Sequence, residues 1–167
     1  MKIGIISDTH GILDEKPVNF FSECDEIWHA GDIGNKSILE KLGSICTLRA
    51  VSGNIDSKIE HWTSPEHHLF VLEGMQVLII HIAGNPPGYN REVYRFITRH
   101  NPDMLVCGHS HILKVMFDKV NHLLFINPGA AGNQGFHTVK TAIRMKIKSG
   151  KPSEMEVLEW ERHKKRP

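Results

Sequence analysis

Lys2-Ile3-Gly4-Ile5-Ile6-Ser7-Asp8-Thr9-His10 opens as a β-branched apolar run and closes on two side chains able to bind metal. The run reads as a buried strand, and the Asp8–His10 step as the polar loop that leaves it. The pattern recurs along the chain. Residues 26–29 run into Gly31-Asp32, residues 45–51 into Gly53-Asn54-Ile55-Asp56, and residues 104–107 into Gly108-His109-Ser110-His111. His81 follows Val77-Leu78-Ile79-Ile80 in the same way. Singly these segments mean little, because Gly-Asp and Gly-Asn are common turns and Asp-x-His is a common surface pair. Together, each behind a hydrophobic run, they predict one pocket built from loops along one sheet edge. Open α/β sheets bind their ligands at such an edge. The donors are imidazoles, carboxylates and one amide, with no thiolate. That set suits Mn, Fe, Zn, Co or Ni and not a cysteine-held structural zinc.

The first third of the chain reads β-α-β-α-β, with helices over residues 17–24 and 36–42, the second stopped at Gly43. Such alternation implies parallel strands and right-handed crossovers. Residues 68–72 and 76–81 flank the hairpin turn Glu73-Gly74-Met75. A helix is expected over residues 90–100, ending near Pro102. Residues 113–117, 122–127 and 137–148 are strand-like, so the C-terminal half is mostly β. The length predicts a single domain over residues 1–167. Its class is α/β, with mixed sheets covered by helices on the outside.

Composition limits the partners. The chain has 167 residues, a charged fraction of 23% and a formal net charge of +1, so no large field attracts nucleic acid or a membrane. Neither a stable nucleic-acid partner nor a membrane is expected. The basic run His163-Lys164-Lys165-Arg166 reads as a solvated terminus. Three cysteines without a Cys-x-x-Cys pair argue against a disulfide framework and for a reduced, cytoplasmic setting. The first apolar run is too short for a signal peptide, and no run approaches a membrane span. Of 12 histidines, His10, His81, His109 and His111 are assigned to metal. His29, His61, His67, His68, His100, His122, His137 and His163 read as surface or cap residues.

The order Asp-x-His, Gly-Asp, Gly-Asn-x-Asp, a lone His and Gly-His-x-His, with Asn127-Pro128-Gly129 downstream, resembles the calcineurin-like metallophosphoesterases. Within them it is similar to the small bacterial and archaeal phosphodiesterase branch. The resemblance spans residues 3–132. It implies a four-layer α/β/β/α sandwich of two mixed β-sheets flanked by helices, with a two-metal site. One ion would take Asp8, His10 and His111, the other Asn54, His81 and His109, and Asp32 would bridge them. Manganese stands first among the metals it implies, with Fe, Zn, Ni, Co and Mg as alternatives. The implied reaction is hydrolysis of a small-molecule phosphodiester by a hydroxide bridging the two ions. Asp32, Asn54 and His109 would carry the chemistry, with Asp56 fixing the Asn54 loop through hydrogen bonds. The resemblance also implies a homo-oligomer.

Two departures stand out. Many relatives have a histidine at the third position of Gly-Asn-x-Asp that protonates the leaving group; here it is Ile55. Relatives usually place Gly directly after the lone His, whereas Ile82-Ala83 precede Gly84. Two other functions are compatible with the motifs: a phosphomonoesterase on the same site, or a degenerate member serving as a binding scaffold, like the retromer subunit that resembles this family. All seven expected ligand positions are filled, which favours chemistry. Specificity is expected from the rim at residues 62–68, 85–91 and 133–137.

Overall fold

The computed structural model describes residues 1–59 and 62–162. His61 and the tail from His163 onward lie outside the described residues. In chain order the elements are Lys2–Ile6 (β1), Glu15–Phe20 (α1), Glu26–His29 (β2), Lys36–Gly43 (α2), Thr47–Ala50 (β3), His67–Leu72 (β4) and Met75–Ile80 (β5). Gly84–Asn85 (β6) and Gly88–Tyr89 (β7) form a small hairpin, followed by Arg91–His100 (α3), Met104–Val106 (β8), Leu113–Asp118 (β9) and Leu123–Pro128 (β10). Val139–Lys148 (β11) and Lys151–Glu161 (β12) complete the described elements.

The first sheet has the order β12-β11-β1-β2-β3, with β1, β2 and β3 parallel and β11 and β12 antiparallel. The second has the order β4-β5-β8-β10-β9, with β5, β8 and β10 parallel between antiparallel edges. Both are therefore mixed. Period-two alternation distributes the apolar side chains. Ile3, Ile5 and Trp28 meet Val77, Ile79 and Val106 in a core between the sheets. Ile6 and Ile27 face outward and pack with Phe21, Ile38 and Leu42 beneath α1 and α2. Leu78, Leu105 and Phe125 face the other way and pack with Val93 and Ile97 of α3. Three cores between four layers make an α/β/β/α sandwich. The central strands read as continuous apolar runs because both of their faces are covered.

Local signals explain several ends. Asn35 and Asn90 cap α2 and α3, their side chains accepting from the Ser37 and Val93 amides. The β4–β5 turn places Glu73 and Gly74 at φ 51° and 81°, the left-handed pair that a two-residue hairpin requires. Other expectations shift. The first helix covers Glu15–Phe20, four residues earlier at its end than expected. Gly43 is the last residue of α2, and a right-handed Ser44 caps it. β12 has no strand signal in its sequence. Glu154, Glu156, Glu159 and Glu161 hide its pattern, and Trp160 is its buried anchor. No helix among the described residues is long and apolar enough to cross a membrane.

Candidate metal centre

The expected ligands emerge from the carboxyl ends of parallel strands in both sheets. β1 leads to Asp8 and His10, β2 to Asp32, β3 to Asn54, β5 to His81, and β8 to His109 and His111. Five of these residues adopt left-handed backbone: Asp8 (φ 53°), His10 (48°), Asp32 (53°), His109 (65°) and His111 (58°). Non-glycine residues rarely do so, although Asp and His tolerate it better than most. Cross-loop hydrogen bonds hold the conformation. The Asp8 and His10 amides donate to the Gly31 and Asp32 carbonyls at 3.0 and 2.9 Å, and the Gly108 amide to His81 O at 3.0 Å.

The side chains converge in two clusters. Asp8, His10 and His111 form one, and Asp32, His81 and His109 the other. In the first, His111 Nε2 lies 3.2 Å from Asp8 Oδ1 and 3.3 Å from His10 Nε2. In the second, His81 Nε2 lies 3.3 Å from Asp32 Oδ1 and 3.2 Å from Asn54 Oδ1, while His109 Nδ1 lies 3.1 Å from the same amide oxygen. Asp32 faces both clusters, since its other oxygen is 3.7 Å from His10 Nε2. Asp8, Asp32 and His81 are buried, whereas His109 is exposed, so the second cluster opens to solvent.

These contacts bring together more acceptors than protons. His81 Nδ1 lies 2.8 Å from the Ala30 carbonyl, which fixes its proton there and leaves Nε2 as a lone pair. That lone pair faces the oxygens of Asp32 and Asn54. A cation relieves such a meeting, either an added proton or a metal ion. Without metal the proton fills the role. Burial disfavours the His81 imidazolium, but the Asp32 hydrogen bond and the Asp8 charge outweigh it and raise its pKa. The Asp8 hydrogen bond raises His111 against its burial. Burial prevails at His10, whose pKa falls despite Asp32 and Asp8. Burial would raise Asp32, yet the His81 hydrogen bond and charge and the Ile55 amide hold it below the usual carboxylate value. The donor set fits divalent cations bound by nitrogen and oxygen.

A buried layer positions these loops. Asp56 is fully buried and accepts from the Ile33, Gly34 and Gly53 amides at 3.0, 2.8 and 2.8 Å. It thereby ties the Asp32 loop to the Asn54 loop and acts through them as a positioning residue. Asn127 donates to Gly108 O at 2.7 Å and Ser110 Oγ at 3.0 Å, bracing the loop of His109 and His111. Space is equally tight. A Cβ on Gly53 would lie 2.1 Å from Asp32 Oδ1, and one on Gly108 would lie 2.0 Å from Ser7 Oγ.

His29 is not a surface or cap residue; it is fully buried. Its Nδ1 accepts from the Gly31 amide at 3.2 Å, and its Nε2 lies 2.9 Å from Thr9 Oγ1. Thr9 donates its own proton to Ile33 O at 3.0 Å, so His29 is the donor to Thr9 and is held neutral with its proton on Nε2. Burial pushes its pKa down to about 3. His137 is likewise not idle, its ring meeting His111 edge-on at 5.4 Å. Sequence spacing gives no signal for either role. The two departures resolve separately. Ile55 donates its amide to Asp32 Oδ1 at 3.1 Å and offers no acidic side chain. His81 reaches the cluster despite Ile82-Ala83.

Two cavities flank the clusters. One of about 390 Å³ is lined by Ser52, Asn54, Glu66, His81, Asn90 and Glu92, among others. The other, of about 530 Å³, borders His109, His111, Ile112, Phe136 and His137.

Comparison with known proteins agrees with this geometry. A probable metallophosphoesterase of Methanocaldococcus jannaschii is 30% identical over 141 residues, covering 78% of this chain and 68% of that protein. A phosphodiesterase of the same organism is 25% identical over 146 residues, covering 77% and 83%. Among solved structures, wild-type Vps29 of Entamoeba histolytica complexed with zinc has a TM-score of 0.73 at 16% identity, covering 96% of this chain and 99% of that one. That likeness shows the shared fold. The family model for the calcineurin-like phosphoesterase superfamily domain matches residues 1–150, and the chain belongs to that superfamily.

Proposed function

We propose that this protein is a phosphodiesterase that works with two divalent metal ions, manganese first among them. The observation that carries the reading is the convergence of lone pairs from His81, Asp32 and Asn54 beside the Asp8–His10–His111 cluster. Bound cations would lower the pKa of a coordinated water to about 7 and polarise the phosphoryl oxygens, supplying a nucleophile at neutral pH. Asp8, His10 and His111 would hold one ion, and Asn54, His81 and His109 the other. Asp32 would bridge them, since its two oxygens face different clusters.

Charge favours a diester. Asp8 and Asp32 supply two negative charges against two divalent ions, and the imidazoles and the Asn54 amide add none. A hydroxide and a singly charged diester balance the remainder, whereas a doubly charged monoester overshoots it. Asp8 and Asp32 would hold the ions, whose positive charge would stabilise the negative charge that develops on the equatorial oxygens. Ile55 contributes no proton, so departure of the alcohol relies on solvent or on an intrinsically good leaving group.

The test is hydrolysis of bis-p-nitrophenyl phosphate by the purified protein with Mn²⁺, against a chelated control. Metal-dependent turnover is the expected result. Bound metal without diester turnover would redirect the reading to a monoesterase. Absence of both turnover and metal would favour a binding scaffold, the role for which the Vps29-like fold leaves room.

A further inference from the structure

Phe136 is fully exposed, at 104% of the reference side-chain surface, yet its loop is fastened. The Arg162 guanidinium donates to three carbonyls of this short segment: to Gly135 O at 2.6 Å, to His137 O at 2.8 Å, and to Asn133 O. On its other side the loop abuts the metal centre. Gly135 has φ 100°, and a Cβ there would lie 2.2 Å from His111 Nδ1. Only glycine lets the backbone approach so closely. The chain thus presents a large aromatic ring to solvent from a braced backbone, beside a candidate metal ligand. Ile112, 65% exposed, follows His111 directly and lines the same cavity. Apolar and aromatic side chains that line one cavity together with His109 and His111 offer a ligand a surface beside the candidate centre. The other cavity also carries apolar side chains, Ile80 and the exposed Ile82, but it adds the carboxylates Glu66 and Glu92 and, among the described residues, has no Phe, Tyr or Trp to stack on.

Building on the phosphodiesterase reading, we propose that the Phe136–Ile112 side of the centre binds the aromatic arm of the substrate, by stacking a nucleobase on Phe136. The substrate class is then a nucleoside-containing phosphodiester, with its more polar arm directed to the Glu66–Glu92 side. Stacking on one aromatic ring is sequence-tolerant because every base has a π-face, so purines and pyrimidines both qualify.

The experiment is titration calorimetry of the Mn²⁺-loaded full chain with adenosine 5′-monophosphate and with ribose 5-phosphate, which share a phosphate and a sugar and differ in the base. Wild-type protein is expected to bind the nucleotide about tenfold more tightly, the scale of one base–aromatic stack. Phe136→Ala is expected to bring the ratio close to one while ribose 5-phosphate affinity holds, and Phe136→Trp to keep the preference. The exposed ring supports no core, so truncation leaves the fold intact. Equal wild-type affinities, or a preference that survives Phe136→Ala, would overturn the proposal. So would a lower sedimentation mass for Phe136→Ala, which would show the ring to be covered by a second copy. Turnover of bis-p-nitrophenyl phosphate, measured in parallel, reports separately on the phosphodiesterase reading, and the binding ratio decides the role of Phe136 with or without it.

Discussion

Replacing Asp56 with Asn tests whether the candidate centre depends on a residue that need touch neither metal nor substrate. The carboxylate accepts three amide hydrogen bonds, with Oδ2 serving Ile33 and Gly53 and Oδ1 serving Gly34. If the amide oxygen takes the Oδ2 position, two bonds survive without the charge, and the new NH₂ group faces the Gly34 N–H. One charge-assisted bond, worth about 1.5–3 kcal/mol, is lost and two are weakened. We expect the metal-free protein to lose about 2–3 kcal/mol of stability. Mn²⁺ affinity should fall about 10–100-fold, the range seen when groups that orient metal ligands are removed. Asp56→Ala removes all three bonds and would lose about 4 kcal/mol or more, enough to threaten folding. The conservative variant is therefore the informative one. Urea denaturation with chelator gives the first number and Mn²⁺ titration calorimetry the second. A variant that is destabilised but binds Mn²⁺ with wild-type affinity would refute the coupling between Asp56 and the ligands.

Other substitutions probe different groups. Asp32→Asn should lower bis-p-nitrophenyl phosphate turnover by several orders of magnitude while the protein stays folded, and near-wild-type rates would remove Asp32 from the centre. Ile55→His should speed hydrolysis of diesters with poor leaving groups by up to about 10²-fold; a gain confined to good leaving groups would show that a missing acid is not the limitation. Burial holds the His29 pKa at about 3 in the folded chain against its ordinary value of 6.5, so between these values only the unfolded chain takes up the proton. Its contribution is intact above pH 6.5 and declines as pH falls, by about 1.4 kcal/mol per pH unit. Denaturation measured from pH 7 to 5 should show His29→Gln losing stability less steeply than wild type, and parallel curves would refute the assignment. Lys140 is fully buried with its Nζ 2.7 Å from Asp14 Oδ2, which also accepts from Trp160 Nε1 at 2.7 Å. Asp14→Asn should destabilise by about 3–5 kcal/mol, and adding Lys140→Met should recover much of it. A loss below about 1 kcal/mol in the single variant would mean that the ammonium reaches water.

The candidate ligands are legible in the sequence because their chemistry is local to the ends of strands. An apolar run followed at once by Asp8-Thr9-His10 or Gly108-His109-Ser110-His111 carries the strand, the turn and the donors within a few residues. The role of Asp56 was legible for a similar reason, since it lies three residues beyond Gly53, whose amide it binds. The groups that escaped the reading are those whose partners are distant in sequence. His29 sits inside β2, and only its meeting with Thr9, 20 residues earlier, shows what it does. Arg162 holds carbonyls 25 to 29 residues before it. β12 escaped because its edge position calls for charge on most side chains, which suppresses the alternation that marks strands.

Left-handed backbone at Asp8, His10, Asp32, His109 and His111 links these two kinds of residue. Each such position costs roughly 1–2 kcal/mol, which backbone bonds between the loops, such as Asp8 N–H to Gly31 O and His10 N–H to Asp32 O, offset in part. Further compensation comes from Asp56, Asn127 and His29, whose hydrogen bonds end on backbone groups of these loops rather than on the ligand side chains. The motif residues supply the donors, and the buried layer fixes the backbone that aims them. Keeping every ligand while removing that layer should therefore weaken metal binding, because the ligands would relax toward right-handed backbone and point elsewhere.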